Sequence, residues 1–344
     1  MNDDSIEKLL LVTHGAAAFQ ILHAACESGL FLELHERPGQ DRAGIALALG
    51  FSDESLRVLL FGLSALGLVR LRDGWYENSP TIQKLFAENE WQVFQKLVAF
   101  QAHIVYAGQV DFLESLRQDR NVGLRHFLGS GSTLYERLAL DPKLQKIFYD
   151  YMEAYSAYAV PHLLKEMKLA QGSRVLDVGG GLGGNAMAVA EKFPHTQVTV
   201  LDLPNLASPV QEAIRRRDLS ERVTFHGCDF LKDQFPNGHD CIMFNHQLVI
   251  WNAEQNLTLL RKAYSSLKSG GYVSIFSSIA DDNEKGPLMA ALDTVYFRSV
   301  AAGRGMIYPW SEYRNWLHEA GFENVTELRC QTWTPHGVMF GYKK

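Results

Sequence analysis

The chain has 344 residues, of which 47% are hydrophobic and 21% charged, with a formal net charge of −6. That length accommodates two domains, or one large domain with a smaller attachment, and the acidic balance argues against general affinity for nucleic acid or an anionic membrane. Cys26, Cys228, Cys241 and Cys330 show no CxxC spacing, and no signal peptide or membrane-length apolar run is visible, so a reducing cytoplasm without disulfides is expected.

In chain order, residues 6–32 carry an apolar stripe (Leu9, Leu10, Val12, Ala16, Phe19, Leu22, Ala25) suited to burial against a partner surface. Residues 52–67 read as a helix capped by Ser52 and stopped by Gly67, and residues 68–78 as a hairpin turning at Asp73-Gly74. Helices followed by a hairpin form the winged-helix pattern, but the helix that would enter DNA carries only Arg57 as a basic residue. A helical middle over residues 91–167 includes the aromatic-rich run 148–158. Strands and helices then alternate, with strands at 174–178, 197–201, 222–225, 239–245 and 272–277 and helices between them, which predicts a parallel α/β sheet of Rossmann type. A helix over 288–300 and an antiparallel hairpin, 325–330 and 337–342 around Thr334-Pro-His-Gly, complete the chain. Expected domains are 1–100 and 101–344.

The ligand loop follows the first of those strands. Val175-Leu-Asp-Val-Gly-Gly-Gly-Leu-Gly-Gly184 leads into a helical stretch, the strand–turn–helix context in which glycines let backbone N–H groups approach a ligand. Asp177 precedes Gly179, Gly180 and Gly181; its carboxylate would repel a pyrophosphate but suits a cationic amino-acid group, which favours S-adenosylmethionine (SAM) over NAD or ATP. The second strand ends at Asp202 and Leu203, where ribose hydroxyls would lie. The third leads to Asp229, an acceptor for an adenine amino group, and Phe230, a packing surface for the ring. The fourth ends in Asn245 and His246, beside the expected place of the methyl group.

On these motifs, with 248–254, the chain resembles the class I SAM-dependent small-molecule O-methyltransferases of plant and bacterial natural-product pathways, which carry an N-terminal winged-helix dimerisation domain. The resemblance covers nearly the whole chain. It implies a homodimer, a small aromatic substrate, Met152 and Ser156 near the methionine end of SAM, and an acceptor pocket bordered by Met152, Trp251, Tyr296, Arg298, Tyr308 and Trp310.

The chain departs from that family where proton transfer is done. The family reads Leu-His-Asp-Trp-x-Asp-Glu after the fourth strand; here Val249 stands at the base position, Ser277 where one supporting glutamate is expected and Ile307 near the other. His246 is the leading candidate for a substitute base. The loss moves weight from plain phenol O-methylation toward ring carbon or nitrogen; bacteriochlorophyll-type and tyrosine ring C-methylation both fit. The rival readings are a methyltransferase-fold enzyme using SAM only electrostatically, in pericyclic or hydroxylation chemistry, and a SAM-sensing winged-helix regulator. His226, Asp229, His239, Asp240 and His246 lie near strand ends, but without an i,i+4 histidine pair or an HExxH run no metal is expected.

Overall fold

A computed structural model describes residues 3–344, with side chains from Ile6 onward. The chain divides into two compact units, Met1–His103 and Ile104–Lys344.

The first unit contains α1 (Asp3–Thr13), α2 (Gly15–Glu27), α3 (Leu30–Glu36), α4 (Arg42–Leu49), α5 (Asp53–Ala65), β1 (Val69–Arg72), β2 (Trp75–Asn78), α6 (Pro80–Ala87) and α7 (Trp91–Phe100). The expected apolar stripe over 6–32 is broken into three helices: α1 and α2 meet at 68° at His14, and Gly29 turns the chain again with φ +77°. Only part of that stripe is covered within one chain. Ala25 is fully buried, but Leu9, Leu10, Leu11 and Val12 stay exposed. The α5 helix starts as its sequence predicts, Ser52 Oγ accepting from Ser55 N at 3.2 Å. Leu30, Phe31, Leu56, Leu60, Leu63 and Val69 form the unit's core. Asp73 and Gly74, both at positive φ, join β1 to β2 in the two-residue turn that matches strand twist.

A π-helix, Gln101–Val105, leads into the second unit, which opens with α8 (Tyr106–Gln109), α9 (Phe112–Gln118), α10 (Leu134–Leu138) and the long α11 (Pro142–Glu166). Then come β3 (Arg174–Val178), α12 (Gly184–Lys192), β4 (Gln197–Asp202), α13 (Ala207–Arg216), β5 (Val223–Gly227), β6 (His239–Asn245), α14 (Ala253–Ser266), β7 (Leu267–Ser278), α15 (Leu288–Tyr296), α16 (Trp310–Glu319), β8 (Glu323–Arg329) and β9 (His336–Tyr342). They build a seven-stranded sheet in the order β5-β4-β3-β6-β7-β9-β8, parallel through β7, with β9 antiparallel between β7 and β8.

Strand alternation divides the core. Leu176, Val178, Ile242, Phe244 and Ile275 face Leu259, Leu260 and Ala263 of α14 and Tyr313, Trp316 and Leu317 of α16. Their sequence neighbours Val175, Cys241, Met243 and Phe276 face Ala159 and Leu163 of α11, Met187 and Ala190 of α12, and Val210 and Ile214 of α13. Successive side chains of a strand point to opposite faces, so a sheet covered on both faces needs near-continuous apolar strands. The chain winds outward from β3 to β5, then returns to β6 on the other side of β3. That reversal opens a crevice at the carboxyl ends of β3 and β6, where open α/β sheets hold their ligands.

Candidate active site at the carboxyl ends of the parallel strands

Asp177 is fully buried near the end of β3. Its Oδ1 accepts from Asn245 Nδ2 at 2.8 Å, while Asp177 Oδ2 and Asn245 Oδ1 are buried without a hydrogen-bond partner. Burial pushes the Asp177 carboxyl up to about 7; the Asn245 bond opposes that shift and the nearby Asp202 adds to it. The loop beyond has no room for side chains at Gly179, where a Cβ would lie 2.2 Å from Gln247, whose Nε2 donates to Gly179 O at 3.0 Å. Asp202 accepts from Gly181 N (2.8 Å) and Leu203 N (2.7 Å), so its carboxylate ties the end of β4 to the glycine loop. Burial raises the Asp202 pKa.

The remaining residues expected around SAM spread along this edge. Ser156 Oγ on α11 donates to Asn185 Oδ1 at 2.7 Å, at the first turn of α12. Asp229 pairs with Lys232 at 2.7 Å, which holds its carboxyl below the usual range. Phe230 is buried and meets Trp251 edge to face, ring centroids 6.0 Å apart.

Of the expected acceptor-pocket residues, Tyr296 is buried with its hydroxyl 3.4 Å from that of Tyr135. Tyr308 donates to Trp251 O at 2.7 Å. Arg298 is engaged by Asp119 (2.9 Å) and Gly303 O (2.7 Å). Trp310 is buried, with Arg329 over its ring at 5.4 Å. Met152 is half-buried on α11. The position where a base was expected is apolar: Val249 packs with Ile250, Ala290 and Ile307, so two of the three positions expected to handle protons in the family meet in one cluster. The loop before Ile307 closes on it tightly, since a Cβ at Gly305 would lie 2.0 Å from Val249 O.

His246 belongs to a different constellation. Its backbone sits at φ +56°, a left-handed conformation that costs a non-glycine residue about 1–2 kcal/mol. Its N–H donates to Phe276 O at 2.8 Å, and its ring turns toward Tyr155 (5.4 Å between centroids) and His336 (5.1 Å). Tyr155 and His336 are themselves 4.3 Å apart. Tyr155 shares a hydrogen bond of 2.5 Å with Ser278 Oγ.

Thr332 Oγ1 donates to Thr334 O at 2.8 Å and lies 3.1 Å from Thr334 Oγ1. Thr334 Oγ1 and His336 Nδ1 share a hydrogen bond of 2.6 Å whose direction follows the imidazole tautomer. Nε2 of His336 and Nε2 of His246 are both buried without a hydrogen-bond partner. Burial lowers both histidines, His246 to about 4 and His336 well below 6.5, the latter helped by charge repulsion from His246. Two neutral imidazoles and a phenol thus stand together at the ends of β6, β7 and β9, equipped to accept and relay a proton. Asp293 on α15 adds a carboxyl that burial pushes up to about 7, and its charge acts on Tyr155 and Tyr151.

His336 and Tyr155 went unrecognised in the sequence. His336 follows a Thr-Pro pair that reads as a turn, and Tyr155 lies in an aromatic run that reads as packing. Among the described residues, the histidines and acids near the strand ends do not assemble into a group with metal-ligand spacing; the one such group is His23, Glu27 and His103.

Residues 111–323 match the model of the O-methyltransferase domain family. The L-tyrosine C(3)-methyltransferase of Streptomyces lavendulae is 42% identical, over 98% of this chain and 93% of that protein. The 3-hydroxy-5-methyl-1-naphthoate 3-O-methyltransferase of Streptomyces sahachiroi is 29% identical, over 94% and 91%. Among solved structures, the apo form of the S-adenosylmethionine-dependent methyltransferase SibL is 44% identical with a TM-score of 0.86, covering 98% of both chains. The sheet, its glycine loop and these similarities agree: the chain belongs to the O-methyltransferase family and is a SAM-dependent methyltransferase of small aromatic molecules.

Proposed function

We propose that the enzyme methylates the ring carbon beside the phenolic hydroxyl of tyrosine or a close phenolic amino acid. The observation that carries this reading is the His246–His336–Tyr155 cluster at the end of β6, which gathers groups able to move a proton while an apolar Val249 holds the position of the usual base. The name of the 42%-identical Streptomyces lavendulae relative points the same way.

The residues fit SAM. Unpartnered Asp177 Oδ2 and Asn245 Oδ1 are buried acceptors of the kind an α-ammonium group satisfies, and Ser156 lies at the same edge. Gly179, Gly180 and Gly181 let the backbone approach, Asp202 and Leu203 would meet ribose, and Asp229 and Phe230 adenine. SAM supplies an electrophilic methyl on a sulfonium.

The chain's own part is proton handling. Nε2 of His336 or His246 takes the phenolic proton, and the resulting imidazolium is stabilised beside the phenolate. Phenolate charge is shared with the adjacent ring carbon, which forms the new C–C bond. That carbon then loses its ring hydrogen as a proton to the imidazole that has stayed neutral, restoring the aromatic ring, and the imidazolium returns its proton to the oxygen. The balance is one proton released per methyl transferred. Apolar Val249, Ile250 and Ile307 keep water from the ring face. Asp293 supplies a counter-charge for an amino-acid ammonium.

Two copies would pair through the exposed Leu9, Leu10, Leu11 and Val12 of α1. A cytoplasmic location accords with four buried free cysteines, and no single helix among the described residues is long and apolar enough to cross a membrane.

The test uses tyrosine deuterated at both ring positions beside the hydroxyl, with methyl-labelled SAM. Ring methylation releases one deuterium per turnover. Product that keeps both deuteriums, with the label on oxygen or nitrogen, overturns the proposal.

A further inference from the structure

The unit Met1–His103 holds a group of side chains that methyl transfer does not use. His23 and Glu27 stand four residues apart on α2, one turn along the same helix face. His103 comes from the π-helix Gln101–Val105, a wound-out turn of the kind often found at functional sites. One ligand atom from each of the three lies within 4.8 Å of the other two. The two imidazole rings meet edge to face at 5.4 Å, and Phe19 stacks on the other side of His23 at 6.2 Å. His23 Nε2 is buried with no hydrogen-bond partner, a cost that native structures rarely leave uncompensated.

We infer that His23, Glu27 and His103 bind a divalent transition-metal ion, foremost Zn²⁺, with water completing the coordination. Two imidazoles and one carboxylate are a donor set zinc accepts, with ligand bonds of about 2.0–2.2 Å. Ligand atoms must then draw to roughly 3.3 Å from one another, which takes small side-chain movements of both histidines as well as of the exposed Glu27. The adjacent Cys26 packs into the buried core of this unit and stays outside the set. The bound ion would staple α2 to the end of α7 and its π-helical extension, tying together helices far apart in sequence. Nothing in this site depends on the acceptor of the methyl group.

The test titrates untagged, chelator-stripped full-length protein with Zn²⁺ by calorimetry and with Co²⁺ by visible absorption. The expected result is one ion per chain, ligand-field bands of a low-coordinate Co²⁺ site, and a melting temperature that rises with Zn²⁺. Glu27→Gln, at an exposed position that cannot unfold the chain, and His103→Gln each weaken binding by about 10-fold or more. Absence of saturable binding, or unchanged affinity in both variants, overturns the site.

Discussion

At the scale of single residues, the site places groups in protonation states that water would not favour. His246 and His336 are held neutral by burial, so the fraction of active base stays high well below pH 6.5. Asp293 has the opposite bias: it loses its charge as pH falls through about 7. With tyrosine as acceptor, kcat should therefore hold from pH 8 to about 5.5 while KM rises below pH 7, as initial-rate profiles would show. Replacing His336 by Gln should lower kcat by roughly 10²-fold or more, with deuterium release falling in proportion. Asp177 exchanges stability for binding. Its folded pKa of about 7 lies well above the usual carboxylate range, so the folded chain holds the extra proton between the two and stability falls as pH rises through that window. Asp177→Asn should then stabilise the ligand-free protein at pH 8 by on the order of a few kcal/mol, read as a higher melting temperature, while weakening SAM binding measured by calorimetry.

At the scale of elements, the strand ends and their loops decide what the residues can do. β6 ends with His246 in a left-handed turn, and the following segment carries Val249 into an apolar cluster with Ile307. Gly305 permits that closure because its missing Cβ leaves room for the carbonyl of Val249. Gly305→Ala should push the two segments apart and lower kcat/KM by about 10-fold or more, while the far-ultraviolet circular dichroism stays unchanged. The same scale shows what was legible beforehand. β3, β4 and β6 begin and end within a residue or so of their sequence-based bounds, since buried parallel strands are short apolar runs ended by glycine or polar residues. The predicted strand at 272–277 starts earlier, at Leu267, which pairs with His239 ahead of a register shift where Gly270 bends the chain at φ +79°. The predicted helix over 288–300 becomes π-helical from Phe297, a change in winding that the apolar period does not encode.

At the scale of the whole molecule, the exposed apolar residues of α1 stand out. Leu9, Leu10, Leu11 and Val12 are each more than half exposed, a concentration that a lone chain in water would not favour. Leu9→Glu with Val12→Glu should shift the protein from dimer to monomer in sedimentation velocity, and a wild-type protein that is already monomeric would remove the pairing proposal. Local pattern sufficed for the architecture and pointed to SAM as the donor: short apolar strands, a glycine loop, and Asp177, Asp202 and Asn245 at strand ends are all short-range features. It also revealed that the family's base was missing, since Val249 falls inside a continuous motif. His246 was likewise nameable from its strand end, but its grouping with Tyr155 and His336 came from tertiary structure alone. Tyr155, His246 and His336 lie in three distant stretches, and only the insertion of β9 between β7 and β8 brings His336 beside the end of β6. The neutrality of that histidine depends in turn on burial, which arises only when the chain is packed.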